Sequence, residues 1–102
     1  FPVERVDPLL GLYAAVSRQD ADGNPAGGWL PDQRMTLAEA IDGFTRGAAF
    51  AGHAEGEVGS LEVGKRADFV VLSTDPFNLR GRGLLALKVK STWVDGARVW
   101  PR

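Results

Sequence analysis

The sequence predicts an α+β chain: a long loop and short helices, followed by a small, mostly antiparallel β-sheet. Three observations carry this expectation. Proline and glycine crowd the first 35 residues, with Pro2, Pro8, Pro25, Pro31, Gly23, Gly27 and Gly28. Thr36 stands three residues before Glu39, ahead of an apolar stripe of Leu37, Ala40, Ile41 and Phe44, the pattern of a capped helix. After Val58, β-forming residues flank Asp95-Gly96, a dipeptide that favours a two-residue hairpin turn.

Taken in order, residues 1–35 read as irregular. The prolines interrupt any long element, and Leu9-Leu-Gly-Leu-Tyr-Ala-Ala-Val16 has room for a helical turn or two. A loop of this length inside a small domain points to function or to a packing partner. The helix opened by Thr36 weakens at Gly43 and Gly47. Thr45 is placed to cap a second short helix through Ala48-Ala-Phe-Ala51, ended by Gly52. Gly59-Ser-Leu-Glu-Val-Gly64 reads as a strand fragment and turn. Asp68-Phe-Val-Val-Leu72 is a continuous apolar run, the pattern of a strand buried on both faces, and Asp75-Pro76 stops it. Arg80-Gly-Arg-Gly83 reads as a loop, and Leu87 to Val94 as the next strand. Across the Asp95-Gly96 turn, Trp93 falls opposite Arg98 and Val94 opposite Ala97, which suits a cation–π pair between Trp93 and Arg98.

Composition excludes several classes of function. The chain has 102 residues, enough for one small domain and too few for a complete (β/α)8 barrel. Twelve Lys and Arg against thirteen Asp and Glu leave a net charge of −1, so a nucleic-acid partner is not expected. Cysteine is absent, which removes disulfides and thiolate metal cages and fits a cytoplasmic location. A single histidine rules out a three-histidine zinc site within one chain. No apolar run has the length to span a membrane.

Few residues carry a chemical signature. Asp20-Ala-Asp22-Gly-Asn24 resembles the start of a calcium loop, but Pro25 and Pro31 occupy the positions that need Gly and Glu, so a polar turn is expected. His53 follows Gly52 at the expected helix end, where a surface imidazole is favoured by the local dipole. Ser60 lacks the nucleophile-elbow pattern, and no phosphate-binding glycine loop is present. Lys88 and Lys90 suit the protection of an edge strand. Trp29, Trp93 and Trp100 suit packing or interface roles.

The stretch Gly59-Ser-Leu-Glu-Val-Gly-Lys-Arg-Ala-Asp-Phe-Val-Val-Leu72 resembles the C-terminal segment of the metal-dependent amidohydrolase superfamily. Phe1-Pro-Val, Asp7-Pro-Leu, Ala14-Ala-Val-Ser-Arg18, Gly28-Trp-Leu-Pro-Asp-Gln-Arg-Met-Thr-Leu-Ala-Glu-Ala40 and Val89-Lys-Ser-Thr-Trp-Val-Asp-Gly-Ala-Arg-Val-Trp100 resemble its amidohydrolase-3, exoenzyme-regulatory branch. The resemblance implies a division into residues 1–57, the end of a (β/α)8 barrel with the loop after strand eight, and residues 58–102, part of a composite β-sandwich. It implies a parent enzyme that cleaves non-peptide, amide-like C–N bonds with a divalent metal, zinc or similar. Phe1-Pro-Val matches the residues just after that branch's last metal-binding Asp. The chain is therefore expected to lack every metal ligand and catalytic residue of the parent and to be inactive alone. Residues 4–35 would flank the active-site mouth, which makes Arg18 and Trp29 candidates for substrate contact. The partner implied is the missing N-terminal part of the enzyme or a second copy of the chain. The alternative is a stand-alone structural or assembly domain without catalysis.

Overall fold

The computed structural model describes residue 3 and residues 5–101. Phe1 and Pro2, which carry the likeness to the stretch after the family's last metal ligand, lie outside the described residues.

The first helix, α1 (Pro8–Ser17), is longer than the turn or two expected. Pro8 does not break it. It occupies the first helical turn, where its fixed φ and missing N–H do no harm. The Asp7 carboxylate caps the start by accepting from the Leu9 N–H at 2.9 Å. Arg18 ends the helix in the left-handed conformation, φ 58°, with its N–H bonded to the Ala14 carbonyl.

The Thr36 capping box is present in full. The Thr36 N–H donates to Glu39 Oε2 at 2.7 Å, and the Glu39 N–H donates back to the Thr36 hydroxyl at 3.2 Å. The helix it opens, α2 (Leu37–Asp42), does not stop at Gly43. It runs through a π-helical turn, Gly43–Gly47, into α3 (Ala48–Ala51). Thr45 is therefore not a cap. Its hydroxyl donates to the Ile41 carbonyl within the continuous helix. The chain then leaves the helix through Gly52 and His53, the latter at φ 53°.

The sheet contains β1 (Phe69–Leu72), β2 (Val89–Val94) and β3 (Ala97–Trp100), antiparallel and in that order. Asp95 and Gly96 both have positive φ, 49° and 74°, as a type I′ turn requires. The expected register holds, with Trp93 opposite Arg98 and Val94 opposite Ala97. Four expectations need correction. Residues 59–64 form bends and a turn rather than a strand. In β1, Val70 and Val71 are 50% and 42% exposed, because the described residues supply no layer that covers both faces of the strand. β2 is the central strand, so Lys88 and Lys90 do not guard an edge. The Trp93 ring stacks on Phe69 across the other neighbour, with centroids 5.5 Å apart. The cation–π contact among the described residues is Arg18 over Trp29.

Arg66 and Asp68 tie the hairpin to the segment before β1. The Arg66 guanidinium pairs with Asp95 through two bonds of 2.9 and 2.8 Å, and Asp68 accepts from the Asp95 N–H at 2.8 Å. The Gly-Lys-Arg-Ala-Asp stretch thus has a structural role.

The small core joins α1 and the continuous helix to the 3₁₀ segment Gly81–Ala86, which occupies the expected loop. It buries Leu12, Tyr13, Ala40, Ala49, Leu84 and Leu87. Much apolar surface stays outside it, including Phe50, Leu61, Val63 and Trp100. Among the described residues no helix is long and apolar enough to cross a membrane.

Candidate functional site

The loop between α1 and α2 is closed at a neck that brings Arg18 and Trp29 together. The Trp29 N–H donates to the Arg18 carbonyl at 2.8 Å, and Arg18 Nε donates back to the Trp29 carbonyl at 3.0 Å. The Arg18 guanidinium carbon lies 5.0 Å from the centroid of the indole ring. Two residues eleven apart in sequence are thus joined by two hydrogen bonds and a cation–π contact.

Other residues make the neck rigid. Arg34 donates through Nη2 to the Gly27 carbonyl and through Nε to the Ser17 carbonyl. Gly28 passes so close to α1 that a β-carbon would lie 2.5 Å from the Ser17 carbonyl oxygen. Gln19 donates to the Gly23 and Pro25 carbonyls at 2.8 and 3.0 Å and accepts from the buried Tyr13 hydroxyl at 3.2 Å. Asp20 accepts from the N–H groups of Asp22 and Asn24, the polar turn expected of that stretch. The Asn24 N–H above all holds the Asp20 carboxyl below its ordinary range. The Arg82 guanidinium lies over Gly23. A loop expected to be irregular is therefore tightly organised, and Trp29 remains 62% exposed within it.

Sequence reasoning misses Arg34 and Gln19. Both act on backbone carbonyls, and no side-chain spacing announces such a partner.

Several other acidic groups serve structure. Glu39 belongs to the capping box, and the Thr36 N–H and hydroxyl hold its carboxyl below the usual value. Asp75 caps a 3₁₀ turn through the Phe77 N–H. Arg66 holds Asp95 low. Glu62 is lowered by the Ser60 hydroxyl and then by Lys65. His53 is exposed at the helix end, its N–H on the Phe50 carbonyl.

A divalent metal held by protein side chains needs several convergent donors. Among the described residues there is no group of three or more His, Cys, Asp or Glu able to hold a metal ion. The chain's single histidine follows α3 and lies outside the loop between α1 and α2 in sequence. These residues do not fit a metal centre.

The sequence comparisons agree with the segment-by-segment likeness. A model of the amidohydrolase family matches residues 1–100. The chain is 35% identical over 101 residues to a putative amidohydrolase of Bacillus subtilis, covering 99% of this chain and 19% of that protein. It is 35% identical over 101 residues to an N-substituted formamide deformylase of Arthrobacter pascens, covering 99% of this chain and 18% of the relative. It is 34% identical over 101 residues to the protein LONG AFTER FAR-RED 3 of Arabidopsis thaliana, covering 99% of this chain and 17% of that relative. No solved structure matches. The chain belongs to the amidohydrolase family, and it spans less than a fifth of the length of these curated relatives.

Proposed function

We infer that this chain is the C-terminal segment of a metal-dependent amidohydrolase that cleaves C–N bonds other than peptide bonds, and that it has no turnover of its own. The observation that carries this reading is the pairing of a family match along residues 1–100 with a donor set that, among the described residues, is unfit for a metal. The names of two relatives, an amidohydrolase and a formamide deformylase, support an amide-like substrate. The metal and its ligands belong to the rest of the enzyme. This segment supplies the neck loop at the active-site mouth and part of a β-domain. The exposed apolar side chains Phe50, Leu61, Val63 and Trp100 support docking against that remainder. In isolation the same surface favours self-association of the chain.

The test is a panel of N-acyl, carbamate and formamide substrates at neutral pH with zinc or manganese. The isolated chain is expected to turn over none of them, while the full-length enzyme hydrolyses at least one. Chelator-sensitive turnover that co-purifies with the chain and survives His53→Ala overturns the reading.

A further inference from the structure

Arg18 is the arginine of this loop whose hydrogen-bonding capacity is least consumed by the fold. A guanidinium carries five N–H donors. In Arg18 the Nε–H is used by the Trp29 carbonyl, and one face of the group lies against the indole. No carboxylate or carbonyl among the described residues takes its Nη1 and Nη2 groups. The Nη pair is therefore left unpaired on a half-buried side chain already fixed at its base and on its flank. Arg34, sixteen residues on, shows the opposite use, with its donors turned into the neck.

This arrangement has the features of a recognition element. Fixing a long side chain beforehand removes much of the entropy that a ligand would otherwise have to offset. The fork geometry matches a planar carboxylate through two parallel bonds. Trp29, 62% exposed and anchored by its backbone, adds a flat apolar surface directly beside the charge. Asp20, Asp22 and Asp32 lie in or beside the same loop and keep its charge density low, which suits a monoanion better than a phosphate dianion.

We propose that Arg18, braced by Trp29, is a specificity-determining residue that binds a carboxylate next to a flat apolar group. Placing this ligand in a substrate rests on the amidohydrolase reading above: the enzyme would then prefer N-substituted substrates whose non-reacting part carries such a carboxylate. Binding of the anion itself does not require that reading.

The experiment has two arms. In the first, the chain is titrated with benzoate, acetate, benzamide and inorganic phosphate. The Arg18 Nε–H and Trp29 indole N–H resonances are followed by NMR. Benzoate should shift both signals saturably, more tightly than acetate, with no comparable response to benzamide. Arg18→Gln should weaken benzoate by about tenfold or more, the scale of a charge-assisted pair. Arg18→Lys, which keeps the charge and loses the fork, should weaken it severalfold. Equal binding of benzamide, tighter binding of phosphate, or benzoate affinity unchanged in Arg18→Gln overturns the proposal. Should Arg18→Gln lose the dispersed amide spectrum, Arg18→Lys decides, and wild-type affinity in that variant overturns it. In the second arm, the full-length enzyme is given paired substrates that differ by a carboxylate or its primary amide. Arg18→Gln should lower the ratio of their kcat/KM values by about tenfold, and an unchanged ratio overturns the proposal for the enzyme. Absence of turnover with every substrate refutes the amidohydrolase reading and leaves the NMR arm to decide the anion site.

Discussion

Gly27 and Gly28 offer a controlled test of the neck, because they differ in one respect. Both have strongly positive φ, 80° and 85°. An alanine at either position incurs the left-handed penalty of about 1–2 kcal/mol. At Gly27 the added β-carbon meets nothing within 4 Å. At Gly28 it meets the Ser17 carbonyl oxygen at 2.5 Å, Arg34 Nη2 at 3.1 Å and the Arg18 β-carbon at 3.3 Å. The nearest of these is backbone, so relief requires α1 and the loop to part, which adds about 1–3 kcal/mol, the usual cost of overpacking. The bond that must then open is the one from the Trp29 N–H to the Arg18 carbonyl. Hydrogen exchange at the Trp29 amide reads that opening directly. Gly27→Ala should reduce its protection by about tenfold, and Gly28→Ala by a further factor of about ten to a hundred, at 1.4 kcal/mol per decade. Equal losses in the two variants would show that the close approach of Gly28 to Ser17 does not hold the neck, and the reasoning would fail.

Thr36→Ala should destabilise the second helical unit by about 1 kcal/mol, measured by urea denaturation followed by circular dichroism, with no loss where Ser replaces Thr. The Glu39 carboxyl is held low in the fold, so its contribution is present above the ordinary glutamate pKa and is lost as pH falls through the lowered folded value; in Thr36→Ala the NMR titration of Glu39 should move back up. The Asp95 carboxyl should likewise rise toward its ordinary value in Arg66→Ala, and failure to move would remove Arg66 as the cause of its depression. The isolated chain should retain no stoichiometric zinc after dialysis, and one tightly held zinc per chain would contradict the donor count. Light scattering at micromolar concentration should show a dimer or larger species, reduced by Trp100→Ser or Leu37→Asp; a clean monomer in the unaltered chain would refute self-association.

The legible parts of the fold are those that neighbours in sequence decide. The Thr36 box and the Asp95-Gly96 turn are set within four residues, and the turn length fixes the first two β2–β3 pairs, beyond which an irregularity between Thr92 and Trp93 sets Thr92 opposite Trp100. The partner of the Trp93 ring is not legible. It comes from β1, more than twenty residues earlier, and only the strand order places Phe69 against it. Pro8 is ambiguous in the sequence because a proline breaks a helix or begins one according to its position. Asp7 decides that position by capping the turn. In β1 the apolar run predicts a strand covered on both faces, and the described residues cover only part of it. Arg18 and Trp29 emerge from the family resemblance, yet the contact between them depends on the Gly28 crossing and on Arg34, neither of which has a sequence signature.

The arginines of this chain are used in different ways. Arg66 places both nitrogens of its fork side on Asp95, and Asp95 also takes its N–H to Asp68, so that guanidinium is consumed in fixing a hairpin. Arg34 is consumed by carbonyls of the neck it closes. Arg46 faces Asp42 one turn earlier on the same helix, a solvent-exposed pair of small energetic weight. Arg18 is held by Nε and by the indole, at its base rather than at its tip. A guanidinium that only stabilised the neck would gain by bonding a neck carbonyl through an Nη group as well as through Nε, as Arg34 does. Fixing the base and leaving the tip free instead produces a preorganised donor pair at the surface. That difference in how the guanidinium is used, more than exposure or charge, sets Arg18 apart from Arg66, Arg34 and Arg46.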